Sequence, residues 1–336
     1  MHSVPITTSF PNLPLAVSSS LETFDETYLS ALESGAPTIA RALEHLQKAK
    51  GKQIRPLIIF LVAYALGADT DEGKRENAMN GAISIELLHL ASLIHDDVID
   101  ESPMRRGQSS FYSLLGPHKA VLMGDYILSH AFMRALLIGS KVLPITLADL
   151  GRQLSEGELL QEDFSELSLT TEEQYFEVIR RKTASLIRTA FRVGAEAAEV
   201  TDCSTLETLD QAAEKIGLAF QIKDDIFDYM PTSDLGKPAG NDLKEHKVTL
   251  PLIFALSTDT AEARKGAKLL KKKDLNHEEI RFLLALARKS GGIEYAQGRM
   301  ARFTEEAKAL LRAALPPGEY LDALVSVTDY IVMREK

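Results

Sequence analysis

Tryptophan is absent from the 336 residues of this chain, and aromatic residues make up only 7% of it. A core large enough for this length must therefore be mainly aliphatic. Cys203 is the only cysteine, which excludes an intrachain disulfide framework and is typical of a reducing compartment, so we expect a cytoplasmic protein. The net charge of −10 argues against a general nucleic-acid binder.

Long apolar runs are also missing. No stretch reaches the roughly 18 uninterrupted apolar residues of a membrane span. Residues 1–18 contain three prolines but no Lys or Arg, unlike a signal peptide. We predict a flexible N-terminal arm over residues 1–18, one domain over residues 19–336, and no membrane span.

Strand patterns are nearly missing as well, whereas apolar residues recur at three- and four-residue intervals from Ser19 onward. Residues 55–66 and 83–94 are apolar around much of a helix circumference, which is typical of helices in the middle of a large bundle. The sequence therefore predicts an all-α fold, a single large helical bundle.

Two acidic clusters each follow an apolar helical stretch and stand close before a proline, Pro103 or Pro231. The first cluster comprises Asp96, Asp97 and Asp100, and the second comprises Asp224, Asp225 and Asp228. A helix C-terminus carries partial negative charge, so acids there cost stability unless a cation offsets them. Because all the donors are carboxylate oxygens, the pattern favours a hard ion such as Mg²⁺ over a solvated run of charge.

Basic residues lie near both clusters in the sequence, as a site for Mg²⁺ and substrate phosphates requires. They are Lys52, Arg55, Arg105, Arg106, Lys182, Lys237 and Lys247. Pro56 fits the first position of a helix, which would place Arg55 at the N-cap beside free N–H groups. Singly, each basic residue is typical of solvated surface, but together with two acidic clusters they indicate a phosphate site.

Seven blocks between Gly51 and Pro251 carry a family resemblance: GKQIRP, HDDVIDES with RRG, LMGDYILSHAF, EGELLQ, RKTASL, FQIKDDIFD and GKPAGNDLKEHKVTLP. In these blocks and their order the sequence resembles the trans-isoprenyl diphosphate (polyprenyl) synthase family. The resemblance implies a helical bundle with a central active-site cavity. It also implies an enzyme that joins isopentenyl diphosphate head-to-tail to an allylic diphosphate, farnesyl or geranylgeranyl, and releases diphosphate. The implied assembly is a homodimer, whose product passes to membrane enzymes.

The resemblance also assigns roles to individual residues. Asp96 and Asp100 would bind two Mg²⁺ ions that bridge the allylic diphosphate, and Asp224 would bind a third, about three ions per site. Asp97, Asp225 and Asp228 would orient these ligands, and Lys182 joins Asp96, Asp97, Asp100, Asp224 and Asp225 as the residues predicted to be catalytic. The allylic diphosphate would be bound by Arg105, Lys182, Thr183, Gln221, Lys237 and Lys247. Isopentenyl diphosphate would be bound by Lys52, Arg55, His89 and Arg106.

Two positions depart from the family pattern. Gln53 stands where Arg or Lys is common, which predicts a weaker phosphate contact. His246 stands where Gly is common, which predicts a stiffer lid over the site.

Three alternatives remain at this point. A short-chain farnesyl or geranylgeranyl diphosphate synthase would share every motif. A terpene cyclase would lack the second diphosphate site that GKQIRP and Arg105-Arg106 predict. A non-catalytic partner subunit of a heteromeric synthase would have lost the acidic clusters, and both are intact.

Product length gives the first testable prediction. Ala91 and Ser92 precede Asp96 on one helix and would lie roughly 6–8 Å below the metal site at about 1.5 Å per residue. Short-chain members of the family that the sequence resembles tend to carry Phe or Tyr there, so small side chains predict an open tunnel with Phe132 as a lower floor. We expect a product on the order of six to ten isoprene units. Ala91→Phe should shorten the product without abolishing turnover, and Phe132→Ala should lengthen it, as measured by chromatography of the chains.

The competing interpretation is that Ala91 and Ser92 are only small helix-packing residues. A wild-type enzyme that stops at farnesyl or geranylgeranyl diphosphate, with isopentenyl diphosphate in excess, would contradict the open tunnel.

Overall fold

The computed structural model describes residue 10 and residues 12–47, 53–105, 107–166, 171–230, 240–272 and 274–333. Within this part of the chain the fold is built from α-helices, and the strands form a single two-stranded hairpin, β1 (Met104–Arg105) paired with β2 (Gln108–Ser109). The predicted all-α class is confirmed.

The described part of the chain contains sixteen α-helices. In chain order they are α1 (Leu15–Ser30), α2 (Pro37–Gln47), α3 (Ile54–Ala65), α4 (Glu72–Ile99), α5 (Phe111–Leu115), α6 (Pro117–Leu137), α7 (Val142–Glu166), α8 (Glu172–Ile179), α9 (Ser185–Ala197), α10 (Cys203–Asp228), α11 (Asn241–Lys244), α12 (Leu250–Leu256), α13 (Ala261–Leu269), α14 (His277–Lys289), α15 (Gly292–Ala314) and α16 (Glu319–Met333). A 3₁₀ turn covers Ala68–Thr70, and a π-helical segment, Arg180–Ala184, joins α8 to α9.

The chain divides into two compact units. The first contains Met1–Gly151, Thr189–Glu207 and Arg312–Val327, and the second contains Arg152–Arg188, Thr208–Leu311 and Thr328–Lys336. The predicted single domain over residues 19–336 stays a prediction. The arm predicted over residues 1–18 runs partly outside the described residues, but α1 already begins at Leu15, and Val17 is fully buried.

The first unit is organised around α3 and α4. Every residue of α3 from Pro56 to Ala65 is buried, as expected for a helix that is apolar on all sides. α4 begins where the Asp71 carboxylate accepts a hydrogen bond from the Lys74 N–H at 3.0 Å, an N-cap that satisfies one of the free donors of the first turn. Its long apolar face then packs on α3 and α6.

A close contact with α6 secures the last turn of α4. A Cβ atom at Gly124 would lie 2.2 Å from Nε2 of His95, so only glycine lets the imidazole lie against the α6 backbone. The same Nε2 atom is 3.3 Å from the Val121 carbonyl oxygen and 3.5 Å from Oδ1 of Asp125. This contact holds the residue next to Asp96 in place.

One helix start differs from the prediction. α3 begins at Ile54, with Gln53 in the N-cap position and Arg55 inside the first turn, so the predicted N-cap role of Arg55 is wrong. The chain enters this helix through a left-handed residue, Gln53 at φ 47°, and the amide Nε2 of Gln53 donates a hydrogen bond to Asp25 of α1. The position of a proline does not reveal this contact, because Gln53 and Asp25 are far apart in the sequence.

In the second unit, α10 packs against the π-helical segment through a glycine. A Cβ atom at Gly217 would lie 2.4 Å from Cα of Ala184, which is a backbone atom that cannot turn aside. The aliphatic core of this unit, which includes Ile222, Leu250 and Leu283, also encloses the side chains of Tyr175 and Tyr229.

Gly217→Ala should lower the free energy of unfolding by roughly 2 kcal/mol, since the overpacking at Ala184 outweighs the gain in helix propensity. Gly298→Ala is the matched control, because Gly298 is also inside a helix, is exposed and has open space around it. That variant should be stabilised by up to about 1 kcal/mol. Urea titrations followed by circular dichroism measure both, and equal effects would contradict the close approach.

Candidate active site

The first acidic cluster occupies the end of α4, as predicted. The helix ends at Ile99, Asp100 is its C-cap residue, and the last turn contains no basic residue. Asp96 is half-buried and Asp100 is exposed, and four-residue spacing places their side chains on the same face of the helix. The helix dipole therefore opposes both charges, and a bound cation would stabilise them.

Asp97 has a different environment from its neighbours. Its side chain is only 2% exposed, and Nε of Arg105 donates to both carboxylate oxygens, at 2.8 and 2.9 Å. Burial raises the pKa of Asp97, and the Arg105 guanidinium partly opposes that shift. Asp97 thus anchors the β1 strand and Arg105, and its predicted orienting role stays a prediction.

The second acidic cluster occupies the end of α10, which closes at Asp228. Asp224 and Asp228 are half-buried. The Asp228 carboxylate accepts hydrogen bonds from the backbone N–H groups of Gly240, Asn241 and Asp242, at 3.1, 3.0 and 3.3 Å. It therefore holds the start of α11 and the segment that leads to Lys247, rather than projecting freely beside Asp224.

Asp225 is the most deeply buried acid of the cluster, at 4% exposure. The hydroxyl of Tyr175 donates to its Oδ2 at 2.6 Å, and Nε2 of Gln221 donates to its Oδ1 at 2.7 Å. Burial, and next the charge of Asp242, raise the pKa of Asp225 to about 7, while the two hydrogen bonds act in the opposite direction. Asp225 is thus a fixed acceptor inside the protein.

Lys182 and Thr183 both lie in the π-helical segment. Nζ of Lys182 is paired with Glu158 of α7 and donates to Oε1 of Gln161 at 3.2 Å. The Thr183 hydroxyl donates to Oε1 of Gln221 at 2.7 Å. Single-turn π-helical insertions are frequent at functional sites, and this one contains two predicted diphosphate ligands.

The predicted site for isopentenyl diphosphate is partly described. Nε of Arg55 donates to Oε1 of Glu86 at 2.6 Å, and both side chains are largely buried. His89 is half-buried on α4, one turn from Glu86. Lys52 and Arg106, and also Lys237 of the allylic site, lie outside the described residues.

The predicted lid residue Lys247 donates to Oε2 of Glu245 at 2.6 Å. His246, where the family favours glycine, adopts φ 57°. This left-handed region costs a residue with a Cβ atom roughly 1 kcal/mol and costs glycine nothing. The backbone at this position would therefore favour glycine over His246.

Three of the residues that build the site were not predicted from the sequence: Tyr175, Glu158 and Glu86. Glu158 belongs to the block EGELLQ, which is one of the seven family blocks, so a signal for it was present. The local sequence pattern gives no signal for Tyr175 or Glu86, because their partners are 50 and 31 positions away.

The predicted product-length residues lie on α4 and α6. Ala91 is 1% exposed, and Ser92 and Phe132 are half-buried. The Ser92 hydroxyl donates to the His89 carbonyl oxygen at 2.9 Å, so it is satisfied within its own helix.

The donor set fits Mg²⁺ that is shared with a substrate. Among the described residues no group of three or more His, Cys, Asp and Glu side chains is arranged to hold a metal ion. Asp96 and Asp100 instead form a pair of carboxylates, and one or two carboxylates completed by phosphate oxygens and water is the usual Mg²⁺ site of phosphate-binding enzymes.

Comparisons with known proteins identify the family of this chain. The sequence profile of the polyprenyl synthetase family matches residues 36–287, and the chain belongs to this family. It is 36% identical over 318 residues to the octaprenyl diphosphate synthase of Haemophilus influenzae, covering 94% of each chain. It is 34% identical to a short chain isoprenyl diphosphate synthase of Methanothermobacter thermautotrophicus, covering 94% of this chain and 96% of the relative.

A solved structure has the same fold. The polyprenyl synthase of Caulobacter crescentus, in complex with calcium and isoprenyl diphosphate, superposes with a TM-score of 0.86 at 31% identity, covering 95% of this chain and 96% of that one. The family and fold predicted from the ordered blocks are both confirmed.

Proposed function

We propose that this protein is a Mg²⁺-dependent trans-prenyltransferase. It condenses isopentenyl diphosphate with an allylic diphosphate, farnesyl or geranylgeranyl, to a long-chain all-trans polyprenyl diphosphate, with release of diphosphate. The observation that carries the proposal is the placement of two acidic clusters at the C-terminal ends of two apolar helices, α4 and α10, in a chain of the polyprenyl synthetase family.

Asp96 and Asp100 on α4, and Asp224 on α10, are the residues that would hold Mg²⁺. The ions, when bound, would neutralise charge that develops on the departing diphosphate. Lys182, Thr183 and Gln221 bind the allylic diphosphate, and Arg55 and His89 bind isopentenyl diphosphate. Two features of the described site support these roles: Thr183 of the π-helical segment is hydrogen-bonded to Gln221, and Arg55 is fixed by Glu86.

The reaction needs no nucleophile from the protein. The allylic C–O bond breaks, the double bond of isopentenyl diphosphate forms the new C–C bond, and a proton leaves the resulting cation, with the released diphosphate as its acceptor. The apolar walls exclude water that would otherwise capture the cation. The protein itself therefore binds and orients the two substrates and keeps water away from the allylic cation.

Long-chain products are the proposed outcome for this member of the family. The buried Ala91 and the half-buried Ser92 are both small, and the relative from Haemophilus influenzae is an octaprenyl diphosphate synthase. The short-chain relative keeps the second candidate open, and the product of the wild-type enzyme decides between them.

The activity is tested with radiolabelled isopentenyl diphosphate and farnesyl diphosphate. We expect labelled long chains with Mg²⁺ and none after chelation. Asp96→Ala and Asp224→Ala should each fold normally and lose turnover by on the order of 10²–10³-fold. Asp322→Ala, which removes an exposed acid from the start of α16, is the control and should be unchanged.

Other outcomes would identify the alternatives. Cyclic hydrocarbon from the allylic diphosphate alone would indicate a terpene cyclase. No turnover by the wild-type enzyme, restored by a second protein, would indicate a partner subunit. Loss of fold in both aspartate variants, with Mg²⁺ binding unchanged, would refute the metal assignment.

We further propose a homodimer, formed through one face of α6. This helix is long and apolar enough to cross a membrane by length and composition, a test that core helices of soluble proteins also meet. Leu122, Met133 and Leu136 are 55%, 60% and 62% exposed, and their spacing places them on one side of the helix. An apolar stripe of this kind is typical of a protein–protein interface.

Light scattering at micromolar concentration should give a dimer, and the pair Leu122→Glu and Met133→Glu should shift it towards the monomer, because two charges would be buried at the interface. Leu15→Glu is the matched control, since Leu15 is 82% exposed and lies on α1. A wild-type monomer with full activity would rule the proposal out.

A further inference from the structure

A chain of three hydrogen bonds links the core of the second unit to the predicted diphosphate ligands. The hydroxyl of Tyr175 donates to Oδ2 of Asp225 at 2.6 Å, and Nε2 of Gln221 donates to Oδ1 of the same carboxylate at 2.7 Å. The Thr183 hydroxyl then donates to Oε1 of Gln221 at 2.7 Å. One oxygen of Asp225 therefore accepts a hydrogen bond from α8, and the other accepts one from within α10.

The planar amide of Gln221 makes this chain directional. Its oxygen is engaged by Thr183 and one of its N–H groups by Asp225, so the direction of the second N–H is set by the plane of the amide. If the amide were rotated by half a turn, its oxygen would face a carboxylate oxygen, and two acceptors repel. A phosphate oxygen needs a donor, so this orientation of Gln221 is the one that suits a diphosphate.

We propose that Tyr175 is a positioning residue for the allylic diphosphate, which it orients through Asp225 and Gln221, while Thr183 holds the oxygen of the Gln221 amide. Tyr175 does not touch the substrate, because its side chain is 4% exposed and lies in the aliphatic core. Its hydroxyl fixes the carboxylate of Asp225, which in turn selects the amide orientation. This inference rests on the prenyltransferase activity proposed above.

The placement of Tyr175 follows from its helix. α8 starts with a capping box, in which the Thr171 hydroxyl accepts from the Gln174 N–H and the Gln174 side chain accepts from the Thr171 N–H. The ring of Tyr175 packs edge-on against Phe176, with ring centres 5.3 Å apart. These contacts fix the direction of the hydroxyl towards Asp225, as is required of a group that orients another residue.

Tyr175→Phe tests the proposal, since it removes one hydroxyl and keeps the ring. We expect the KM for the allylic diphosphate to rise roughly tenfold or more, which is the usual range for loss of a supporting group, while the KM for isopentenyl diphosphate stays within about twofold. Tyr229→Phe is the matched control. Tyr229 lies in the same core, is 1% exposed and shares a hydrogen bond of 3.0 Å with Thr249, so its loss should leave both KM values within about twofold.

A double variant tests the route. If Tyr175 acts through Gln221, then Tyr175→Phe should add nothing in a Gln221→Ala background, although the two sites would be additive if they were independent. If Tyr175→Phe does not fold, Asp225→Asn replaces it, because this variant keeps the side-chain volume. The same two KM values are then measured, and we expect only the KM for the allylic diphosphate to rise.

Two results would overturn the proposal: equal losses for Tyr175→Phe and Tyr229→Phe on both substrates, or additive effects in the double variant. Failure of the proposed activity is a separate result, because it appears as an inactive wild-type enzyme before any variant is compared.

Discussion

A carboxylate inside an apolar protein must be supplied with hydrogen-bond donors, and this requirement governs both acidic clusters. Asp97 is supplied by Arg105, Asp225 by Tyr175 and Gln221, and Asp228 by backbone N–H groups. Without these donors each buried acid would lower the stability of the fold, because removing an unpaired charge from water is unfavourable. Asp97, Asp225 and Asp228 therefore have a structural part in their clusters, and Asp96, Asp100 and Asp224 are the members proposed for metal.

Neighbouring aspartates with the same side chain thus differ in environment. Position on the helix decides which acid turns into the core and which stays at its edge: Asp97 is 2% exposed, whereas Asp100 is exposed. The buried acid fixes a second element, β1 in the first unit and α8 in the second. Each cluster is thus both an anchor and a proposed ligand set.

The helical class, the family and the placement of both clusters at helix ends could be predicted, because periodicity, prolines and ordered motifs are local in the sequence. The start of α3 was misplaced, because Gln53 is bound to Asp25, 28 positions earlier. The pairing of Arg105 with Asp97 and the contact of Tyr175 with Asp225 were not predicted, since they depend on the meeting of separate elements. RRKTA likewise has no local feature that marks it as π-helical. The roles of all the predicted site residues stay predictions, and Lys52, Arg106 and Lys237 also lie outside the described residues.

The π-helical segment has a consequence for the helical stretch Glu172–Arg188. A widened turn takes one residue more than a regular α-helical turn, so it offsets the rotation of everything that follows it. Tyr175 can therefore face Asp225 on one side of the insertion while Lys182 and Thr183 reach Glu158 and Gln221 within it. Deletion of Arg181 would leave Tyr175, Lys182 and Thr183 in the chain and keep the helical content. It would, however, rotate the residues after the segment relative to those before it. What this stretch must preserve is its phase as much as its chemistry.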